Sequence, residues 1–196
     1  MKSIRSIAGI AACALAASAL PALAHVGMPG HEHGGLAAGL THPLGGLDHL
    51  LAMLSVGVWS AVAAKGNAHR MWLAPAAFVA AMLAGAVAGH AGMALPLVET
   101  GIALSVLLLG VMIATRIELP SLIGAGIVAL FAVYHGHAHG AEATGPIAAY
   151  MAGVALTTAA LHLTGIGIGL LLARARIATS LAGGLVAATG IWLLAV

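Results

Sequence analysis

Apolar residues follow one another along this chain in long blocks rather than in the alternating or amphipathic patterns of soluble folds, with polar residues confined to short breaks. Six blocks approach or exceed the length of about 20 helical residues that crosses a bilayer core. They run from about Leu36 to Ala63, Met71 to Gly89, Leu95 to Ala114, Leu119 to Tyr134, Pro146 to Ala173 and Ile177 to Val196. The pattern predicts an all-α, polytopic membrane helix bundle formed as a single domain over residues 25–196. Small residues recur along the spans, including Gly85 and Gly89, Gly165, Gly167 and Gly169, and Gly183 and Gly184. They predict closely approaching helices.

A shorter block precedes the first span. Lys2 and Arg5 form a basic start, Ile7 to Leu20 an apolar stretch, and Ala22-Leu23-Ala24 a small-x-small end. These are the three parts of a secretory signal, so residues 1–24 are expected to be removed and His25 to become the mature N-terminus. The alternative is an uncleaved first transmembrane helix, against which the short apolar stretch and the Ala-x-Ala end argue. An N-terminal histidine would offer its α-amino nitrogen and ring Nδ1 to one metal together.

Composition sharpens the class. The chain is 62% hydrophobic and 6% charged, with a mean hydropathy of +1.10, whereas an average soluble domain carries about 25% charged residues. The net charge of +2 comes from so few ionisable groups that it reports topology rather than a nucleic-acid surface. Lys65 and Arg70, Arg116, and Arg174 and Arg176 fall in alternate connections, and the others contain no Lys or Arg. By the positive-inside rule the basic connections are cytoplasmic, which places both mature termini on the periplasmic side of a bacterial inner membrane. Cys13 is the only cysteine and lies in the expected signal, so a metal site must draw on other groups.

Against this background the run His42-Pro43-Leu44-Gly45-Gly46-Leu47-Asp48-His49 stands out. A charged group within a span costs roughly 2.5 to 3.5 kcal/mol even on the lenient insertion scale, and calls for a partner, water or an ion. Imidazole with carboxylate suits nickel, cobalt, zinc or copper, and the donor types alone do not choose among them. On a straight helix His42 and His49 share a face but stand about 10.5 Å apart along the axis. Sharing one ion therefore requires an irregular backbone, for which Gly45-Gly46 after Pro43 is the natural place. Otherwise His42 caps the helix while Asp48 and His49 hydrogen-bond to neighbouring helices.

A second constellation is Tyr134-His135-Gly136-His137-Ala138-His139-Gly140-Ala141-Glu142. If the fourth helix continues through it, His135, His139 and Glu142 fall on one face. If it is a loop, its alternating histidines form a flexible metal-scavenging patch or a merely solvated connection. His162, deep in the fifth span, is either a pathway ligand or an inter-helix hydrogen-bonder. Weaker candidates are His31 and His33 in the tail, His90, His137 and Glu99, which also suits a helix N-terminus. Met53, Met82, Met93, Met112 and Met151 are read as core or lipid-facing residues rather than ligands.

The His42-Pro43-x-x-Gly-x-Asp48-His49 run with Met53, Val56-Gly57 and Trp59 resembles the signature of the HupE/UreJ family. Leu95-Pro96-x-Val98-Glu99, His135-Gly136-x-Ala138-His139-Gly140-x-Glu142 and Leu161-His162 with Gly165 extend the resemblance over nearly the whole mature chain. Five residues separate His42 from Asp48, which distinguishes the run from the His-x4-Asp-His of related nickel/cobalt transporters. The resemblance implies a nickel or cobalt permease, not an enzyme, associated with hydrogenase or urease maturation machinery, with His42, Asp48 and His49 in the functional motif. Two other function classes stay open: a membrane metal-binding or delivery protein that does not translocate its ion, and an intramembrane metallohydrolase with Asp48 or Glu142 as base. Nothing in the pattern reports the oligomeric state.

Overall fold

The structure, a computed structural model, describes residues 34–196. The expected signal, His25, His31 and His33 lie outside the described residues. The chain is all-helical there: α1 Leu36–Gly45, α2 Leu47–Ala64, α3 Ala68–His90, α4 Val98–Thr115, α5 Ser121–Ala141, α6 Ile147–Leu172 and α7 Arg176–Ala195. Helices α2 to α7 are each long and apolar enough to cross a membrane. A helix satisfies its own backbone hydrogen bonds, which hydrocarbon cannot do for it, so runs this apolar adopt it.

Two expectations about the spans are corrected. The first predicted span is two helices, α1 and α2, because Gly46 adopts extended dihedrals (φ −107°, ψ 127°) and Pro43 has no N–H to carry the helix forward. The fourth does not end at Tyr134: α5 runs through the His-rich stretch to Ala141.

The helices pair by extensive packing of α3 with α5, α4 with α7, and α1 and α2 with α6. Helix α2 is the most buried of the spans and α7 the least. The core gathers Met53, Val56, Phe78, Met82, Val106 and Val154. Leu122, Leu171, Ile177 and Leu181 project outward, as suits a lipid-facing surface.

The α3–α5 pairing depends on two glycines. A Cβ on Gly136 would run into the Met82 carbonyl, and one on Gly140 into the Ala86 carbonyl. These glycines press one face of α5 against the α3 backbone, while His135 and His139 on the same helix reach His49 of α2. Other small residues predicted to mediate packing do not: Gly167 and Gly184 have no neighbour among the described residues within 4 Å of an added Cβ.

The two ends of the bundle differ in chemistry. At one end Lys65 pairs with Glu118 at 2.7 Å, and the Arg116 guanidinium donates to the Ala173 carbonyl at 3.0 Å. At the other, the Gly35 amide donates to the Thr144 carbonyl at 2.9 Å, closing the start of α1 onto the α5–α6 connection. His42, His49, His135 and His139 gather at this second end.

Candidate metal site

The break at Gly46 resolves the spacing problem of the first motif. His42 sits near the end of α1, while Asp48 and His49 open α2. The imidazoles of His42 and His49 stand with centroids 6.1 Å apart, closer than a straight helix permits. Between and beside them comes α5. His139 lies 5.0 Å from His42 and 4.6 Å from His49, and His135 lies 4.9 Å from His49. His135 and His139 have no solvent-exposed surface. Glu142, just beyond α5, reaches His42 Nε2 at 3.3 Å.

Four imidazoles from three helices therefore share one pocket of the bundle with two carboxylates. Two imidazoles holding an ion at nitrogen distances of about 2.0–2.1 Å would have ring centroids about 4.5 to 5 Å apart. The closest ring separations fall in this range. Among the described residues, no three His, Cys, Asp or Glu side chains are already closed around a point; the rings meet at steep angles, 59° to 87° for the pairs made by His49. Binding an ion requires side-chain rotation.

The hydrogen bonds specify which ring nitrogens are available. Asp48 Oδ1 lies 2.8 Å from His49 Nδ1 and accepts from the His49 amide at 2.7 Å. A carboxylate accepts, so Nδ1 carries the proton and Nε2 keeps its lone pair. Ser105 donates its hydroxyl to the Ile102 carbonyl at 2.6 Å and meets His135 Nε2 at 2.9 Å. With that proton committed, His135 Nε2–H is the donor and Nδ1 holds the lone pair. His162 Nδ1 donates to the Met53 carbonyl at 2.7 Å. In each case the other nitrogen is buried and has no hydrogen-bond partner among the described residues: Nε2 of His49, Nδ1 of His135 and Nε2 of His162. An imidazole with one nitrogen anchored through N–H and the other left with its lone pair has the arrangement of a metal ligand and its outer support. Both nitrogens of His139 and the Tyr150 hydroxyl are likewise buried without partners among the described residues. Burying such groups unsatisfied costs roughly 1–3 kcal/mol each, a cost that ligation would offset.

The sequence candidates thus divide. His42, Asp48, His49, His135, His139 and Glu142 come together. His137 points elsewhere on α5, its Nε2 donating to the Met93 carbonyl at 2.7 Å; the helical conformation of this stretch replaces the flexible patch. His162 lies apart from the four rings, although Phe78 contacts both it and His135, at centroid distances of 5.1 and 5.6 Å. His90 ends α3, and Glu99 sits exposed in the first turn of α4. Tyr150, with its ring 5.8 Å from His42, and Ser105 escaped the sequence reading. One aromatic or hydroxyl residue in an apolar span carries no distinguishing pattern.

A profile described as HupE / UreJ protein matches residues 13–193. Protein HupE of Rhizobium leguminosarum bv. viciae is 44% identical over 188 residues, an alignment covering 92% of this chain and 94% of that protein. No solved structure matches the chain.

Proposed function

Because the chain belongs to the HupE/UreJ family, we propose that it is a permease for a divalent transition metal ion, nickel first and cobalt second, and not an enzyme. The observation that carries this reading is the cluster of buried ring nitrogens on His49, His135 and His139 that lack partners among the described residues at one end of a membrane bundle. His42 and Glu142 form the rim of the site, being partly exposed at 31% and 47% of their side-chain surface. His49, His135 and His139 form its floor. Asp48 holds the His49 ring and supplies negative charge against the cation.

The positive-inside rule puts the Lys65, Arg116 and Arg174 end in the cytoplasm, so the histidine end opens to the periplasm and meets the ion from outside. The chain contains no phosphate-binding motif, and the membrane potential would favour cation entry by about 2.3 kcal/mol per charge per 100 mV. The imported ion would serve maturation of a nickel enzyme such as a hydrogenase or urease. A mature chain beginning at His25 would add an amine and an imidazole on the same outer side.

Uptake of radioactive nickel into proteoliposomes containing the purified chain, with an inward-positive to inward-negative series of imposed potentials, tests the reading. Accumulation that rises as the interior becomes more negative supports a permease. Binding without accumulation at any potential would identify a delivery protein and contradict it.

A further inference from the structure

Beyond the four-imidazole cluster lies a second polar layer among apolar residues. On α6, Thr158 and His162 are one turn apart, and both are buried at 0% and 2% exposure. The Thr158 hydroxyl faces two thioethers, Met53 Sδ on α2 at 3.3 Å and Met82 Sδ on α3 at 3.7 Å. Met53 and Met82 have no exposed surface. Met53 lies one turn beyond His49, about 6 Å farther from the histidine end. Its carbonyl fixes His162 through Nδ1, so the lone pair sits on Nε2, buried without a partner. Phe78 contacts both the His162 ring and the His135 ring.

We propose that His162, Met53 and Met82, with the Thr158 hydroxyl, form a second, inner binding site that receives the metal ion from the imidazole cluster. It rests on the reading of that cluster as the entry site. The donor set explains why a second layer is useful. The entry site has Asp48 and Glu142, whose charge holds a cation strongly. The inner layer offers one imidazole, two thioethers and a hydroxyl, all neutral. An ion passing inward exchanges charged ligands for uncharged, softer ones and is held more loosely, which permits release. Methionine in an apolar core needs no functional reason, but packing alone does not call for a buried imidazole nitrogen without a partner among the described residues, one helical turn from a hydroxyl that faces two thioethers.

The test uses X-ray absorption on purified protein in detergent loaded with one and then two equivalents of nickel(II). Wild type at two equivalents should show sulfur scattering around nickel. Met53→Leu/Met82→Leu, which keeps volume and apolarity, should remove it. Absence of sulfur scattering in wild type, or its persistence in the double variant, overturns the inner site. In proteoliposomes the same variant should bind the first equivalent as wild type does but transport at least about tenfold more slowly, no less than the loss when an outer-shell partner is withdrawn. His162→Gln should do the same. Unchanged uptake in both variants overturns the relay role. Wild-type vesicles that accumulate no nickel overturn the permease reading, and the sulfur scattering then decides the inner site by itself.

Discussion

Asp48 accepts two hydrogen bonds from His49 with a single carboxylate oxygen, one from the backbone amide at 2.7 Å and one from ring Nδ1 at 2.8 Å. The pair locks the first turn of α2 and the orientation of its imidazole in one step. On the proposed metal reading, Asp48 would act on the ion largely through His49, by fixing its tautomer and raising its basicity. Replacing Asp48 by Ala should weaken nickel binding about 10- to 100-fold. Asp48→Asn, which retains an acceptor oxygen and loses the charge, should fall between the two. Equilibrium nickel binding to the purified variants, at matched folded fraction, checks the order.

The same pair depends on Gly46. A Cβ there would stand 2.5 Å from Asp48 Oδ1 and 3.3 Å from His49 Nδ1. Gly46 dihedrals are open to any residue, so the constraint is space and not backbone strain. Gly46→Ala should displace the carboxylate and reproduce the Asp48→Ala loss of affinity. Gly45→Ala, where an added Cβ meets nothing within 4 Å, should bind nickel normally.

Much of this arrangement was legible in the chain, and the gaps have physical causes. Long apolar blocks force helices, so the number of spans followed from length alone. The Gly45-Gly46 pair after Pro43 marked the break that brings His42 toward His49. The fourth span was bounded at Tyr134 because the six polar or small residues from His135 to Gly140 lower hydropathy without breaking a helix; their side chains are accommodated by neighbouring segments of the bundle, which a sequence does not display. Ser105, Tyr150 and Thr158 carried no signal, and Met53 and Met82 were read as core or lipid-facing, for the converse reason. Each is an ordinary residue of an apolar span, and only the packing of α2, α3, α4 and α6 gives it a polar neighbour.

Tyr150 offers a separation of stability from function. Its hydroxyl is buried with no partner among the described residues, a burden of roughly 1–3 kcal/mol that Phe removes while filling the same space. Tyr150→Phe should unfold at a higher temperature in detergent than wild type and bind nickel more weakly. Thermal unfolding with and without nickel reads both effects, and the stabilisation by nickel should be smaller in the variant.

Gly136 and Gly140 set the distance between α3 and α5. An added methyl at either meets a main-chain carbonyl of α3, and overpacking of this kind costs typically about 1–3 kcal/mol. Gly136→Ala and Gly140→Ala should lower the unfolding temperature and also weaken metal binding by moving His135 and His139. Lys65→Ala, which removes an exposed ion pair with Glu118, should change stability by no more than about 1 kcal/mol and leave metal affinity intact.

The central claim is that imidazoles from α1, α2 and α5 hold one ion together. Double-mutant cycles on nickel affinity, measured by equilibrium binding to purified His42→Ala, His49→Ala and His139→Ala and their pairwise combinations, test it most directly. Residues sharing a single ligand couple strongly, whereas independent sites add. The account predicts that each double variant loses little more affinity than its weaker-binding single parent. Losses that add across the three helices, with binding stoichiometry falling stepwise, would contradict a shared site.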